Sequence, residues 1–342
     1  MRKRIFAALL AVSLLLSGCA AAPVAQKKQY TATFLTLFDT VTSITGKAES
    51  QEEFTRKAQA IHDSLLEYHR LFDIYNDYEG VVNLKTVNDQ AGIAPVEVDR
   101  RIIDLLLDCR HYYELTGGKV NPAMGSVLLL WHEARNDGID DPANAYLPDT
   151  QALKAAAEHT SFESVVIDEA AATVYISDPR VSLDVGAVAK GWSVQRVCEN
   201  APAGLLVSVG GNVCATGPKD ETGMPWVVGI QDPDGGDSYL HTLTVTEGSV
   251  VTSGDYQRAY VVDGAIYHHI IDPATLYPSQ YWRSVTILCG DSGLADALST
   301  ALFLMPQMEG QSLLEKCGAE AMWVNAEGER FYSPGFEKNI RN

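Results

Sequence analysis

The architecture expected of this chain follows from one segment, Ser182-Leu183-Asp184-Val185-Gly186-Ala187-Val188-Ala189-Lys190-Gly191. It is typical of a strand that ends in Asp184, a turn of small residues, and a helix with Lys190 in its first turns. The N-terminus of a helix offers free N–H groups and the positive end of a dipole, so anions bind there. A structural corner with a surface lysine would give the same pattern, and the segment alone favours that simpler interpretation.

The regions on either side mix helices and strands. A helical period of apolar residues predicts helices over Gln51 to Phe72 and Arg100 to Leu115, and a β-branched pattern predicts a strand over Thr33 to Thr45. Asp137 to Pro148 is expected to be a polar loop, followed by a short helix that Thr150 starts. Further helices are predicted at Ala189 to Glu199 and Leu294 to Leu304. Further strands are predicted at Ser164 to Ile167, Thr173 to Ile176, Leu205 to Val209, Trp226 to Ile230, Thr242 to Thr246, Arg258 to Val262 and Ser284 to Leu288.

The order of these elements bears on the fold class. Strands and helices do not alternate strictly, which favours an α+β fold over a doubly wound parallel sheet. The length and the 46% apolar content suffice for one large domain or two intimate lobes. We predict two intimate lobes within a single domain, residues 31–342.

The N-terminus resembles a bacterial lipoprotein signal. Basic residues at the start are followed by the apolar run Ile5 to Leu16, a pattern that matches a signal peptide over residues 1–18. The apolar run is too short to span a membrane comfortably. Leu16-Ser17-Gly18-Cys19 resembles the lipobox, in which Cys19 is lipidated and becomes the new N-terminus. Residues 19–30 are then expected to be a lipidated tether that holds the protein on the extracytoplasmic side of the cell membrane. The alternative is an ordinary signal peptide that is cut near Ala20 to Ala22.

Charge and cysteine usage exclude several classes of function. Loss of residues 1–18 changes the formal charge from −18 to −21, which argues against nucleic acid as a partner. Besides Cys19 there are five widely spaced cysteines and no CxxC pair, so buried free thiols are a better interpretation than a zinc site or a disulfide framework.

Two glycine-containing segments and a pair of histidines are candidates for ligand contacts. Gly210-Gly211-Asn212 follows a buried strand, and a double glycine lets backbone amides approach a ligand, although many tight turns share this pattern. Ser253-Gly254 could donate hydrogen bonds to a phosphate or to a ring edge. In an alternating strand, His268 and His269 point to opposite faces, so only one of them faces a given pocket.

An apolar helix carries a possible metal site. Asp296 and Thr300 are four residues apart and therefore lie one turn apart on one helix face. A buried carboxylate and hydroxyl need partners, and hard oxygen ligands suit Mg²⁺. The simpler alternative is that Asp296 caps the helix start while the Thr300 hydroxyl bonds back to a carbonyl.

Taken in order, these segments resemble the ApbE family, the FAD:protein FMN transferases of bacterial envelopes. The resemblance covers about Phe38 to Phe303, nearly the whole mature chain. It is carried by five stretches: DVGAVAKG from Asp184, VSVGGNV from Val207, TSGDY from Thr252, HHIIDP from His268 and ADALSTALF from Ala295.

The resemblance implies a fold, cofactors and site residues. Members have an ApbE-like, T-fold-like architecture, bind FAD and Mg²⁺, and attach FMN to a threonine or serine of an acceptor protein, often a subunit of a membrane redox complex, releasing AMP. The metal ligands would be the Ala187 carbonyl, Asp296 and Thr300. FAD contacts would come from Phe38, Tyr75, Lys119, Val120, Asn121, Asp184, Lys190, His269 and Ile270, with Ser253 and Gly254 beside them.

Some positions depart from the family pattern. Asn121 replaces an aspartate, Leu276 stands where a glycine is usual, and Phe38 and Lys119 are also atypical. Since FAD is an anion, an acidic chain must supply local basic groups to bind it. His269 and Asp184 are the candidates for accepting the proton of the acceptor hydroxyl, and the sequence does not choose between them. Two alternatives remain: a metal-dependent FAD pyrophosphatase and a lipid-anchored flavin-binding protein without turnover.

Overall fold

The computed structural model describes residues 27–236 and 238–341. The predicted signal peptide, Cys19 and most of the predicted tether lie outside these residues. Within them, no helix combines the length and apolar character needed to cross a membrane. A strand begins at Lys28, so the last three residues assigned to the tether belong to the fold.

Eight α-helices lie in the described part of the chain. Two match the predicted bounds because each starts at a capping side chain: Ser50 accepts from Glu53 N–H, and Asp99 accepts from Arg101 N–H. The helices are α1 Gln51–Phe72, α2 Leu84–Asp89, α3 Arg100–Leu115, α4 Gly125–Asp140, α5 Thr150–Ala157, α6 Ala189–Asn200, α7 Ser292–Phe303 and α8 Gln307–Cys317.

The strands form one large antiparallel sheet and smaller pairs. The strands are β1 Lys28–Leu37, β2 Thr40–Ala48, β3 Val96–Glu97, β4 Val165–Asp168, β5 Thr173–Ile176, β6 Leu205–Val209, β7 Asn212–Ala215, β8 Trp226–Gln231, β9 Tyr239–Val245, β10 Gly248–Gly254, β11 Ala259–Val262, β12 Ala265–His268, β13 Ser284–Cys289, β14 Glu320–Val324 and β15 Arg330–Tyr332. The large sheet has the order β1-β2-β6-β7-β10-β13-β14-β15.

The large sheet is covered on both faces, and alternation along each strand assigns residues to the two sides. In β10, Val251 packs into the core with α3 and α7, whereas Val250 packs against β8 and β9 on the opposite face. A separate cluster joins α4 and α5 to the β11–β12 hairpin, with Trp131 and Tyr260 among its buried side chains. This arrangement is the α+β fold that the sequence predicts.

The strand predicted over Thr33 to Thr45 is instead a hairpin. β1 and β2 are joined by Phe38 and Asp39, which have φ angles of 52° and 51°. Positive φ at both central residues is the geometry of a two-residue type I′ turn, which usually contains Asn-Gly. The pair Phe-Asp gave no turn signal, and the prediction of one strand was wrong.

Three other local predictions need correction. Asp184 does not end a strand. The backbone of the preceding residue, Leu183, bonds to a side chain instead of to a strand: Asn88 accepts from Leu183 N–H and donates to Leu183 C=O. Residues 137–140 belong to α4 rather than to a loop. Asp149, and not Thr150, caps α5. The cysteines of the described residues are free, and three of them are buried, as predicted.

Candidate active site

A cleft of 1040 Å³ lies where the large sheet meets the lobe formed by α4 and the β11–β12 hairpin. The β1–β2 turn, the loop after α1, the segment before α6, and residues of β10 and α7 contribute to its walls. The predicted site residues that line it are Phe38, Tyr75, Lys119, Val120, Asn121, Asp184, Ala187, Lys190, Ser253, His269, Ile270, Asp296 and Thr300. Gly254, which is buried at the end of β10, does not line it.

Asp296 is held by the first turn of a neighbouring helix. Gly191 N–H, at the start of α6, donates to Asp296 Oδ2 at 2.8 Å. A side chain at Gly191 would place its Cβ 2.3 Å from Ser292 O and 2.4 Å from Asp296 Cβ, so only glycine permits this helix crossing. Burial raises the pKa of Asp296, because the charged form loses water, while Lys190 and the Gly191 N–H oppose the shift. The helix N-terminus predicted to bind an anion therefore already binds a carboxylate.

The simpler interpretation of the Asp296–Thr300 pair is wrong in both parts. Asp291, not Asp296, caps α7 by accepting from Leu294 N–H at 2.7 Å. The hydroxyl that bonds back along the helix belongs to Ser299, which donates to Asp296 C=O at 2.9 Å. Thr300 lies at the cleft wall, and its hydroxyl makes no hydrogen bond to any described residue.

The oxygen atoms at this wall fit a hard divalent cation. Asp296, Thr300 and Ala187 line the same cleft, and they offer a carboxylate, a hydroxyl and a backbone carbonyl. Among the described residues no group of three His, Cys, Asp or Glu side chains could hold a metal on its own. Mg²⁺ does not require such a group, because it commonly takes one or two carboxylates and keeps several waters or phosphate oxygens.

Asp184 lies in the turn before α6. Its Oδ1 accepts from Gly186 N–H at 2.8 Å, and its own N–H donates to Pro122 C=O. Burial raises the pKa of Asp184, an effect that the Gly186 hydrogen bond and nearby positive charges reduce. A carboxylate with a raised pKa is a more effective proton acceptor than an ordinary aspartate.

Basic side chains concentrate in the cleft despite the acidic composition of the chain. Lys190 Nζ has one hydrogen bond within the described residues, to Gly186 C=O at 3.4 Å. Arg135 and Arg258 also line the cleft, and neither forms an ion pair with a described carboxylate. Burial lowers the pKa of Arg135, and the neighbouring Arg258 lowers it further. Two guanidinium groups that line one cleft without a carboxylate partner favour an anionic ligand there.

Sequence reasoning missed both arginines. Arg135 lies on α4, a helix that was not predicted, and it donates to His132 Nδ1 at 2.8 Å. Arg258 lies two residues after the TSGDY stretch and begins a predicted strand. The alternation of side chains along that strand could have identified Arg258 as a cleft residue.

The two adjacent histidines differ in their surroundings. His268 is buried; its Nε2 bonds to Ser279 C=O at 2.7 Å, and its Nδ1 accepts from Ile270 N–H. His269 lies just beyond the end of β12, and its Nδ1 is buried without a hydrogen-bond partner in the described chain. Burial, together with Arg258 and Lys190, lowers the pKa of His269 to about 3. The ring is therefore neutral at physiological pH.

The aromatic side chains that line the cleft include the two predicted to contact the flavin. Tyr75 is 47% exposed, and its ring stacks on His132 with centroids 5.0 Å apart and an interplanar angle of 22°. Phe38 occupies the strained β1–β2 turn. An exposed stacked ring beside a cleft is suited to a flat aromatic ligand.

The segment from Lys119 to Asn121 is fixed by contacts outside the cleft. Lys119 Nζ lies 3.1 Å from Asp272 Oδ1. Asn121 Nδ2 donates to Thr160 C=O at 2.9 Å, and its Oδ1 accepts from Ala123 N–H. An aspartate could not donate to Thr160, which gives a structural reason for asparagine at this position.

Comparison with known proteins now identifies the family. A sequence profile described as the ApbE family matches residues 38–323. The chain belongs to the ApbE family. An FAD:protein FMN transferase of Treponema pallidum is 35% identical over 312 residues, which cover 84% of this chain and 83% of that protein. A second FAD:protein FMN transferase, from Klebsiella pneumoniae, is 29% identical over 268 residues, 75% of this chain and 80% of that protein.

Solved structures of ApbE proteins agree with the fold. The ApbE protein of Thermotoga maritima has a TM-score of 0.81 at 30% identity, covering 92% of this chain and all of that one. The flavin transferase ApbE of Vibrio cholerae has a TM-score of 0.74 at 22% identity over 92% of this chain and 100% of that one, which concerns the fold alone. The predicted family, the α+β fold and the assignment of the chain as a transferase enzyme are confirmed. The roles of individual cleft residues stay predictions.

Proposed function

We propose that this ApbE-family chain transfers the FMN half of FAD to a threonine or serine hydroxyl of an acceptor protein, with Mg²⁺ as cofactor and AMP as the leaving product. The observation that carries the proposal is the arrangement of the cleft. Unpaired cations, an oxygen-lined wall around Asp296, and an exposed aromatic ring at Tyr75 meet in one cavity of 1040 Å³. A dinucleotide with a flat ring and a diphosphate needs all three.

The basic side chains would compensate the diphosphate charge. Lys190 and Arg258 line the same cleft as His269 and Asp184, and their positive charges lower the pKa of both residues. In phosphoryl transfer most of the catalytic effect comes from positioning and from neutralising charge on phosphate oxygens. These residues would supply that effect where the net charge of the protein opposes it.

Asp296, Thr300 and the Ala187 carbonyl would hold the Mg²⁺. The ion would act as a Lewis acid on the phosphate oxygens. The Gly191 N–H keeps one carboxylate oxygen of Asp296 in place, and Thr300 has a hydroxyl that no described residue uses. Of the three proposed ligands, the Asp296 carboxylate would thus be held in place before the metal binds.

The bond changes of the reaction are simple. The acceptor oxygen forms a bond to the FMN-side phosphorus, and the bond from that phosphorus to the oxygen bridging to AMP breaks. The hydroxyl proton passes to Asp184 or His269. The pKa of Asp184 is raised by burial, whereas that of His269 is lowered to about 3, so Asp184 is the stronger candidate for the base in the ligand-free cleft.

The proposal also includes where the enzyme works. The lipobox-like sequence at Cys19 and the apolar segment before it support a lipid anchor on the extracytoplasmic side of the cell membrane. A membrane redox subunit is the expected acceptor. These features rest on the sequence of the N-terminus.

The test is mass spectrometry of a candidate acceptor co-expressed with this chain. The proposal predicts one added FMN on a threonine or serine, together with AMP release. Release of FMN and AMP with no modified acceptor would instead support the pyrophosphatase alternative. Binding of FAD without any AMP release would support the non-catalytic alternative.

A further inference from the structure

The β1–β2 turn at the cleft is strained and therefore needs support. Phe38 and Asp39 both have φ angles near +50°, a conformation that residues with a Cβ rarely adopt. Such strain persists only where the surrounding structure fixes it, and it clusters at functional sites. The ring of Phe38 lies edge-on to the ring of His69, with centroids 5.5 Å apart.

A chain of hydrogen bonds links this turn to the loop that carries Tyr75. Phe38 N–H donates to His69 Nδ1 at 3.3 Å, and His69 Nε2 lies 3.3 Å from the hydroxyl of Tyr78. That hydroxyl donates to Asp73 Oδ2 at 2.7 Å. Asp73 Oδ1 in turn accepts from Tyr75 N–H at 2.7 Å. Four contacts thus connect the two aromatic residues predicted to contact the flavin.

The direction of these bonds is determined by the backbone. Because Phe38 N–H donates to Nδ1 of His69, the proton of the neutral ring lies on Nε2. Nε2–H then donates to Tyr78, whose own proton points to Asp73. Burial disfavours the charged form of Asp73, but hydrogen bonds from Tyr78 and Asn76 and from the loop backbone lower its pKa below the usual value, so it remains an acceptor.

We propose that Tyr78 is a positioning residue that locks the Phe38 turn to the Tyr75 loop through His69 and Asp73, so that both rings are oriented for the flavin before FAD binds. Tyr78 itself does not line the cleft, whereas the other four residues do. The inference rests on the proposed function, since it takes FAD as the ligand.

Two variants test the chain of bonds. Tyr78→Phe removes the central hydroxyl and keeps the ring. Asp73→Asn keeps the acceptor for Tyr75 N–H but places an NH₂ group opposite Tyr78. The hydroxyl must then turn its proton to His69 Nε2, the ring must carry its proton on Nδ1, and Phe38 N–H loses its acceptor. Both variants should weaken FAD binding.

A matched control is available outside the cleft. The hydroxyl of Tyr146 donates to Asp137 Oδ2 at 2.8 Å, so Tyr146→Phe removes the same kind of bond where no flavin contact is predicted. The dissociation constant of FAD, measured by flavin fluorescence, should rise about 2- to 10-fold in Tyr78→Phe. It should stay at the wild-type value in Tyr146→Phe.

Two further readouts separate positioning from a general loss of stability. In Tyr78→Phe, KM for FAD should rise while kcat at saturating FAD is retained. The effect of Tyr78→Phe should also shrink when Tyr75 is replaced by alanine, because one of the positioned rings is gone.

Wild-type affinity in Tyr78→Phe and Asp73→Asn would overturn the positioning role, as would an effect of Tyr78→Phe that is fully additive with Tyr75→Ala. Neither result would touch the proposed function, provided that the wild-type chain binds FAD. A wild-type chain with no affinity for FAD would overturn both.

Discussion

Replacing Gly191 by alanine should disturb the contact on which the proposed metal site depends. The new Cβ would lie 2.3 Å from the backbone oxygen of Ser292 and 2.4 Å from Asp296 Cβ, and neither atom is the flexible end of a side chain. Overpacking of this kind costs about 1–3 kcal/mol, and the rigid neighbours place it at the upper end. The better helix propensity of alanine returns about 1 kcal/mol. A net loss of about 2 kcal/mol in the free energy of unfolding follows.

Gly310→Ala is the matched control, because Gly310 also lies in a helix. Its added Cβ would meet only side-chain atoms, Leu302 Cγ at 3.1 Å and Trp323 Cζ2 at 3.2 Å. Urea unfolding followed by tryptophan fluorescence gives the stability of each variant, and AMP release from FAD gives its activity. Gly191→Ala should lose both stability and activity, since the helices must separate and move Asp296. Wild-type stability together with wild-type turnover in Gly191→Ala would refute the account of the α6–α7 crossing.

Three other predictions follow from single side chains. Lys190→Ala should weaken FAD binding about 10- to 100-fold, because a hydrogen bond to a charged group contributes about 1.5–3 kcal/mol. The affinity for Mg²⁺ should change less, and calorimetry with each ligand measures both affinities. Burial and nearby positive charges lower the pKa of His269 to about 3, so its ring takes up no proton between pH 6.5 and 5, where the unfolded chain does. His269 therefore makes the free energy of unfolding fall as the pH drops, with a slope that rises towards about 1.4 kcal/mol per pH unit, and His269→Gln should reduce that slope in urea titrations. Leu276 has a φ of 64°, so Leu276→Gly should be about 0.5–1 kcal/mol more stable than Leu276→Ala, and equal urea midpoints would argue against strain there.

Strong local signals in the sequence predicted part of this fold well. The bounds of α1 and α3 were predicted from a clear apolar period, and the structure shows that Ser50 and Asp99 cap these helices. The β1–β2 hairpin was missed because Phe38 and Asp39 are poor turn formers and tertiary contacts hold them. Helix α4 was missed because its run from Val127 to Leu130 is apolar on all sides and gives no clear period.

The site shows the same division between local and long-range information. Motifs placed Asp184, Lys190 and Asp296 in one cleft, although 105 positions separate Gly191 from the carboxylate it binds. Nothing in the local pattern distinguished Asp296 from Asp291 as the helix cap, or marked Arg135 as a cleft residue. Such roles depend on which elements pack together, and a pattern of adjacent residues does not contain that information.

The most direct measurement is AMP release from FAD as a function of Mg²⁺ concentration, in the wild-type chain and in Asp296→Asn. Asparagine keeps an oxygen that can accept from Gly191 N–H, so the variant should fold, with a circular dichroism spectrum like that of the wild type. We predict Mg²⁺-dependent release by the wild type and none by the variant at any Mg²⁺ concentration at which the wild type is saturated. Equal release by the folded variant at the same Mg²⁺ concentrations would contradict the assignment of Asp296 as the metal ligand.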